Sequence, residues 1–233
     1  MLRPKDETAK IAVLIDGENM AAKYAAAIFD EIAGYGEASV RRIYGDFSGN
    51  KLKGWVEVMA DLAIIPQQQF QNTVGKNADD IALVIDAMDL MHDGRFDAFF
   101  LVSSDSDFTR LASRIREQAV NVFGVGEKKT PKPFRMACNQ FIYAENLLGE
   151  EVELDGKKLT IAHANQLIGN VFDAVSQEHE IVHLGHLGKE LRGRYSDFDH
   201  RNYGHKTLSL LIKATKDFII KTGDGKTTVD RKI

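Results

Sequence analysis

The 233-residue sequence has one cysteine, no long apolar run and no excess of basic residues. Cys138 has no second cysteine with which to form an intramolecular disulfide, which agrees with a reducing compartment. No apolar run approaches the length that crosses a bilayer, and the charged start MLRPKDETAK is unlike a secretory signal. We therefore expect a cytoplasmic protein that does not bind membranes.

The charge balance limits the partners of the chain. Thirty Lys and Arg residues against 34 Asp and Glu residues give a net charge of −4. The whole chain therefore does not attract a polyanion, and nucleic acid would have to be held by local basic patches or through a metal ion. The hydrophobic fraction of 44% is ordinary for a soluble globular protein and excludes a mostly disordered chain.

Strand and helix patterns alternate over residues 1–148 and predict an α/β domain. Apolar runs of strand length are followed by amphipathic segments of helical period, which favours a mostly parallel sheet in a three-layer arrangement. The expected strands are 10–16, 39–47, 62–65, 97–103, 120–125 and 141–143, with Pro66 closing the third. Residues 126–135 read as a loop, and the polar residues 149–159 read as a linker.

Aspartates stand where these strands end. Asp16 closes the first strand, Asp105 and Asp107 follow strand 97–103, and Asp80 opens an apolar helix. Because the carboxyl ends of parallel strands face the ligand crevice, these side chains are expected to meet there. Taken one at a time, Asp107 and Asp79, the residue before Asp80, are equally suited to capping helices.

Converging carboxylates have a specific chemistry. Each ionised pair within about 6 Å repels by roughly 2–3 kcal/mol, so the site either takes up protons or holds a cation. Oxygen ligands without a matching Cys or His set select a hard ion, Mg²⁺ or Mn²⁺. Such an ion can activate water against a phosphodiester, which makes hydrolysis of a nucleic-acid backbone the natural candidate reaction.

Cations near this crevice are candidates for holding RNA phosphates. In the segment GEKKTPKPFR, Phe134 would offer a stacking surface beside four cations, although a solvated turn is the alternative. Lys76, just before the acidic helix, would either hold a phosphate oxygen or offset the carboxylates. The cations of the segment are Lys128, Lys129, Lys132 and Arg135.

Residues 160–233 change pattern and predict a second domain. Three stretches of helical spacing are followed by two short strand patterns, Phe218–Ile220 and Thr227–Val229. Three helices with a two-stranded wing are the outline of a winged helix-turn-helix.

Four motifs of the first domain resemble a known family. VLIDGENM, GKNADDIALVIDAMDL, FLVSSDSDFTRLASRIRE and GVGEKKTPKPFRMACNQFIY are similar to the NYN domain, the PIN-like ribonuclease fold of the LabA-like family. The resemblance implies that Asp16, Asp80 and Asp105, with Asp107 close by, bind divalent metal in an RNA-cleaving site. It places Asn19 at the polar position after the first aspartate, and it leaves Asp86 a supporting or structural role.

The second domain has its own resemblance. LGHLGKELRGRYSDFDHRNYGHKTLSLLIK is similar to the OST-HTH or LOTUS domain. This implies a module that binds RNA or a protein partner. On physical grounds we expect Phe198 and Tyr203 to pack inside, while Arg201 and Lys206 would either contact phosphates or form a solvated surface.

The sequence thus leads to the hypothesis of a metal-dependent endoribonuclease acting on single-stranded or loosely structured RNA. Asn19, Ser103 and Ser104 would orient ligands or the attacking water. Two alternatives stay open: a non-catalytic RNA-binding adaptor that retains the acidic crevice, and a phosphatase or nucleotide hydrolase acting on small molecules. An exposed sheet edge or the linker could support a homodimer.

Overall fold

The computed structural model describes residues 8–69, 78–150, 153–154, 157–223 and 225–232. The chain divides into two compact units, Met1–Leu148 and Gly149–Ile233. Each unit has its own hydrophobic core. None of the helices in the described ranges combines the length and the apolar composition needed to cross a lipid bilayer.

A parallel sheet forms the centre of the first unit. Within the described residues it has six strands in the order β3-β2-β1-β4-β5-β6, and every adjacent pair is parallel. This confirms the prediction of an α/β domain with a mostly parallel sheet. The strands are β1 (Lys10–Asp16), β2 (Glu37–Gly45), β3 (Ile65–Gln68), β4 (Ala98–Val102), β5 (Asn121–Gly126) and β6 (Gln140–Tyr143).

Helices cover both faces of this sheet. On one face Val13 and Ile15 pack with Ile28 of α1 and Trp55 of α2, while the intervening Leu14 points to the opposite face and is also fully buried. Strands buried on both faces must be apolar throughout, which explains the unbroken runs in β1 and β4. The helices are α1 (Ala25–Ala33), α2 (Lys53–Met59), α3 (Ala78–His92), α4 (Thr109–Glu117), α5 (Lys132–Ala137) and α6 (Ala144–Leu147).

Two predicted elements of this unit were wrong. The third strand runs through Pro66 to Gln68 instead of ending before the proline, because β3 lies at the edge of the sheet. The amide of Gln69 donates to the carbonyl of Gly45 in β2, so by the two-residue period the nitrogen of Pro66 faces away from β2. Residues 132–135, predicted as the end of a loop, lie in α5, which spans Lys132–Ala137.

The second unit contains the predicted three helices and wing. The helices are α7 (Ile161–Glu178), α8 (Leu184–Arg194) and α9 (Leu208–Ala214), and a short antiparallel pair, β7 (Glu153–Leu154) and β8 (Lys157–Lys158), precedes them. The wing is the antiparallel pair β9 (Phe218–Gly223) and β10 (Lys226–Arg231). Ile168, Leu187, Leu211 and Phe218 bring these elements into one core, which confirms the winged-helix outline.

Candidate metal centre

Five carboxylates meet at the carboxyl-terminal edge of the parallel sheet. Single ligand oxygens of Asp16, Asp79 and Asp80 lie within 4.8 Å of one another, and so do those of Asp80, Asp105 and Asp107. Asp80 belongs to both groups, so the five form one continuous acidic cluster. β1 and β4 are neighbours and run parallel, so Asp16 at the end of β1 and the segment after β4 come together there.

Asp16 is the most buried member of the acidic cluster, with only 2% of its surface exposed. Its Oδ1 accepts hydrogen bonds from the backbone amides of Glu18 and Asn19, both at 3.1 Å. Its Oδ2 accepts a hydrogen bond from the Ser103 hydroxyl at 2.7 Å. Burial raises the pKa of Asp16, while the hydrogen bonds from Ser103 and from the side chain and amide of Asn19 lower it and the charge of Asp79 raises it further.

Ser103 links the two strand ends that carry the cluster. Its hydroxyl donates to Asp16 and accepts a hydrogen bond from the backbone amide of Asp105 at 3.0 Å. Asp105 in turn caps the short 3-10 turn Ser106–Phe108, because its Oδ1 accepts from the amide of Asp107 at 2.9 Å. The capping residue here is thus Asp105, whereas the sequence suggested Asp107 and Asp79 as caps, and it uses one oxygen for the cap. Capping and membership in the acidic cluster are therefore compatible for Asp105.

The serine hydroxyls bond to protein groups. That of Ser104 accepts a hydrogen bond from the backbone amide of Glu127 at 2.9 Å, which ties the segment after β5 to the segment after β4. Both predicted ligand-orienting serines thus position neighbouring segments of the chain.

Repulsion among the carboxylates appears most clearly in Asp80. Burial is the largest cause that raises its pKa, to about 7, and the charges of Asp16, Asp79, Asp105 and Asp107 raise it further. A carboxyl group of this pKa is only about half ionised at neutral pH. Binding of a dication would relieve the same repulsion.

The donor set of the acidic cluster fits a hard divalent ion. Both described groups consist of carboxylates alone, and such oxygen ligands suit Mg²⁺ and Mn²⁺ better than the softer metals that Cys and His select. Asp79 is a member that sequence reasoning assigned only to a helix cap. Both Asp79 and Asp80 lie in the first turn of α3, and the way this helix docks brings both to the cluster.

Asp86 lies further along α3 and has a different role. Its Oδ2 accepts hydrogen bonds from Arg42 at 2.8 Å and from the hydroxyl of Tyr44 at 2.7 Å. Burial and the hydrogen bond to Asp86 raise the pKa of Tyr44, while Arg42 lowers it. Asp86 therefore joins α3 to β2, in agreement with the structural role considered for it.

The predicted cations of the first unit divide into exposed and buried residues. Lys128, Lys129 and Lys132 are exposed. Lys129 pairs with Glu127 at 2.9 Å, and the backbone amide of Lys128 donates to both carboxylate oxygens of the buried Glu145. Lys76 lies outside the described residues.

Phe134 and Arg135 cannot bind RNA in the predicted way. Phe134 is 0% exposed and packs against Phe108 and Phe141, so no base can stack on it. Arg135 is 6% exposed, and its guanidinium donates a hydrogen bond to the hydroxyl of Tyr143. Both predictions were wrong because α5 turns these two side chains into the core.

The two candidate cations of the second unit, Arg201 and Lys206, differ in exposure and in their contacts. The guanidinium of Arg201 contacts both carboxylate oxygens of the buried Asp199, with the shortest contact at 2.6 Å. Lys206 is exposed. Phe198 and Tyr203 lie in the core of this unit, as predicted.

Comparison with known proteins gives the family. Residues 10–148 match the NYN domain, whose members are generally PIN-like nucleases, and residues 165–229 match the OST-HTH/LOTUS domain, which is associated with RNA binding. The uncharacterized protein MJ0482 of Methanocaldococcus jannaschii is 24% identical over 164 residues, which are 68% of this chain. The chain spans only 63% of the length of that protein.

A solved structure supports the fold. The protein of unknown function VPA0982 from Vibrio parahaemolyticus superposes with a TM-score of 0.50 at 22% identity, over 60% of this chain and 96% of that protein. The matched profile covers well over half of the chain and includes all five members of the acidic cluster. The chain therefore belongs to the NYN domain family and carries a C-terminal OST-HTH/LOTUS domain.

Proposed function

We propose that this protein is a divalent-metal-dependent endoribonuclease that hydrolyses RNA phosphodiester bonds at the acidic cluster, while its C-terminal domain binds RNA. The observation that carries the proposal is the convergence of five carboxylates, from three separate parts of the chain, at one sheet edge of an NYN domain. Their mutual repulsion, seen in the raised pKa of Asp80, favours binding of a cation.

Asp16, Asp80, Asp105 and Asp107 would hold the ion, Mg²⁺ or Mn²⁺, with Asp79 adding negative charge beside them. A bound ion of this kind activates water and neutralises charge that develops on the phosphate. A crevice at a sheet edge admits a splayed single strand better than a duplex, so single-stranded or loosely structured RNA is the proposed substrate.

The protein's own residues prepare this site before substrate binds. Asn19 and Ser103 fix the orientation of the Asp16 carboxylate through hydrogen bonds to its two oxygens. Ser103 also holds the amide of Asp105, so the two carboxylates keep their relative position. Such preorganisation lowers the cost of arranging ligands during the reaction.

Cleavage of a labelled single-stranded RNA in the presence of Mn²⁺ tests the proposal. Asp105→Asn should lower the rate on the order of a hundredfold or more, since it removes a charged ligand. Asp30→Asn, an exposed position on α1, is the matched control and should leave the rate unchanged. EDTA should abolish cleavage by the wild type.

Equal rates for the wild type and Asp105→Asn, or equal rates after chelation, would exclude the nuclease proposal. Tight RNA binding by both proteins without turnover under any metal would instead identify a non-catalytic RNA-binding adaptor. Turnover of small phosphate esters without affinity for polymer would identify a phosphatase or nucleotide hydrolase.

A further inference from the structure

A cleft of about 340 Å³ lies beside the acidic cluster. One wall is the segment 17–22 after β1, the second is residues 51–55 at the start of α2, and Glu127 and Lys129 close the third side. We call it the lateral cleft. Its volume is in the range of sites that hold small ligands, and it is large enough for one nucleotide.

Two walls of the lateral cleft begin at the acidic cluster itself. Asn19 lines the cleft, and its backbone amide and side chain bond to the carboxylate of Asp16. Glu127 lines the other side, and its amide donates to the hydroxyl of Ser104, the residue before Asp105. An RNA strand that lies on the acidic cluster can therefore continue directly into the cleft.

The inner wall is rigid. The indole N–H of the buried Trp55 donates to the carbonyl oxygen of Met20 at 2.9 Å, which holds the segment 17–22 against α2. Ala21 and Ala22 carry small side chains, and Ala22 approaches the second wall at Gly54, where an added Cβ would lie 3.3 Å from the Cβ of Ala22. This combination of a fixed wall and small lining residues is expected of a preformed binding site.

Two lysines stand at the rim. The side chains of Lys51 and Lys129 are 64% and 63% exposed and pair with the much less exposed Glu18 and Glu127. Exposed ion pairs contribute little stability, so either lysine can exchange its carboxylate for a phosphate oxygen at small cost. The acidic cluster itself consists of carboxylates, so phosphates of a strand that continues past it need such partners.

We propose that the lateral cleft seats one nucleotide of the RNA strand next to the bond that is cut, with Lys51 and Lys129 contacting its flanking phosphates. This inference rests on the proposed ribonuclease function and adds to it a subsite beside the metal centre.

The affinity of the full chain for labelled single-stranded RNA tests the two lysines. Binding is measured with Ca²⁺ in place of Mg²⁺ or Mn²⁺, and gel electrophoresis verifies that the RNA stays intact. Each phosphate contact on a single strand adds about 0.7 to the salt slope, so the Lys51→Ala/Lys129→Ala variant should lose about 1.4. This corresponds to roughly 25-fold weaker binding at 0.1 M salt.

A charge-matched control separates contact from net charge. Lys10 lies at the start of β1 and Arg114 in the last turn of α4. Both are therefore at the edge of the sheet opposite to the acidic cluster. Lys10→Ala/Arg114→Ala removes the same two charges and should keep the wild-type slope. Equal losses in both double variants would overturn the proposal.

Chemical acetylation of lysines locates the contact within the chain. RNA should slow the acetylation of Lys51 and Lys129, read by mass spectrometry, and leave that of Lys10 unchanged. RNA that protects neither rim lysine would overturn the proposal, even if the chain binds RNA through its C-terminal domain.

A filling variant tests whether a nucleotide occupies the cleft. Ala21→Leu adds volume on the wall formed by the segment 17–22 without a change in charge, so it should weaken RNA binding while the salt slope stays as in the wild type. Tryptophan fluorescence verifies that the variant is folded. Unchanged affinity in a folded variant would show that no nucleotide is seated there.

These readouts do not depend on catalysis. If no metal supports cleavage but the lysine and filling variants bind RNA weakly, the proposed function fails and the cleft stands as an RNA-binding site. If cleavage occurs and these variants bind normally, the proposed function stands and the cleft proposal fails.

Discussion

Asp80→Asn should stabilise the metal-free protein, although it removes a proposed ligand. In the folded protein the pKa of Asp80 is raised from 3.8 to about 7. Below pH 3.8 the carboxyl is protonated in both the folded and the unfolded chain and makes no pH-dependent contribution. As the pH rises from 3.8 to about 7 the unfolded chain ionises more readily, so the free energy of unfolding falls, and above pH 7 the full penalty is present.

The size of this penalty follows from the pKa. Each pKa unit corresponds to about 1.4 kcal/mol, so three units would give about 4 kcal/mol. Because Asp80 is partly exposed, screening by solvent reduces this, and we expect about 2 kcal/mol. Asparagine cannot ionise, so the variant should regain that amount above pH 7, which raises the melting temperature by about 5 °C for a unit of this size.

The chain offers a convenient probe for this measurement. Its one tryptophan, Trp55, is buried in the first unit, so its fluorescence reports unfolding of the unit that contains the acidic cluster. Thermal unfolding in EDTA at pH 8 should show the full difference between wild type and Asp80→Asn, and at pH 5 the difference should be much smaller. Added Mn²⁺ should raise the melting temperature of the wild type more than that of the variant.

The exposed Asp30→Asn serves again as the control and should melt like the wild type at both pH values. An Asp80→Asn protein that melts at or below the wild-type temperature at pH 8 would contradict the raised pKa of Asp80, to which burial and the neighbouring carboxylates both contribute.

Two further substitutions test packing in each unit. Gly126→Ala should lower the free energy of unfolding of the first unit, followed by tryptophan fluorescence, by about 1–3 kcal/mol, because the new Cβ would lie 2.5 Å from Oγ1 of Thr130. Gly49→Ala is the control and should be neutral, since there is open space around Gly49. Equal stability of the two variants would contradict the described packing. Arg201→Ala should lower the free energy of unfolding of the second unit, measured by calorimetry, by about 2 kcal/mol, because the buried Asp199 loses the guanidinium with which it pairs. An unchanged unfolding transition would show that the pair has no structural role.

Much of the fold could be predicted from local pattern. Residues 11–15 of β1 and all residues of β4 are apolar, as expected of strands covered on both faces. Because the two strands are parallel neighbours, Asp16 and Asp105 lie at the same edge of the sheet. The position of β3 could not be predicted in the same way. Its register depends on pairing with β2, and the apolar residues before Pro66 gave no information about that partner.

The burial of α5 depends on distant parts of the chain. Phe134 and Arg135 are inside because Phe108, Phe141 and Tyr143 receive them, and no local pattern in the Lys- and Pro-rich segment indicates those contacts. The role of Asp79 was likewise hidden. Adjacent residues on a helix point in directions about 100° apart, so only the docking of α3 determines that Asp79 and Asp80 both reach the cluster.

The proline in β3 has a consequence for contacts between molecules. An edge strand normally presents outward amides on which a second chain can add a strand, and Ile65 beside the proline is 58% exposed. The backbone nitrogen of Pro66 faces outward and carries no hydrogen, so β3 lacks one hydrogen-bond donor within its four residues. The proline thus opposes the addition of a second chain to β3, and with it the aggregation that such sheet extension would cause.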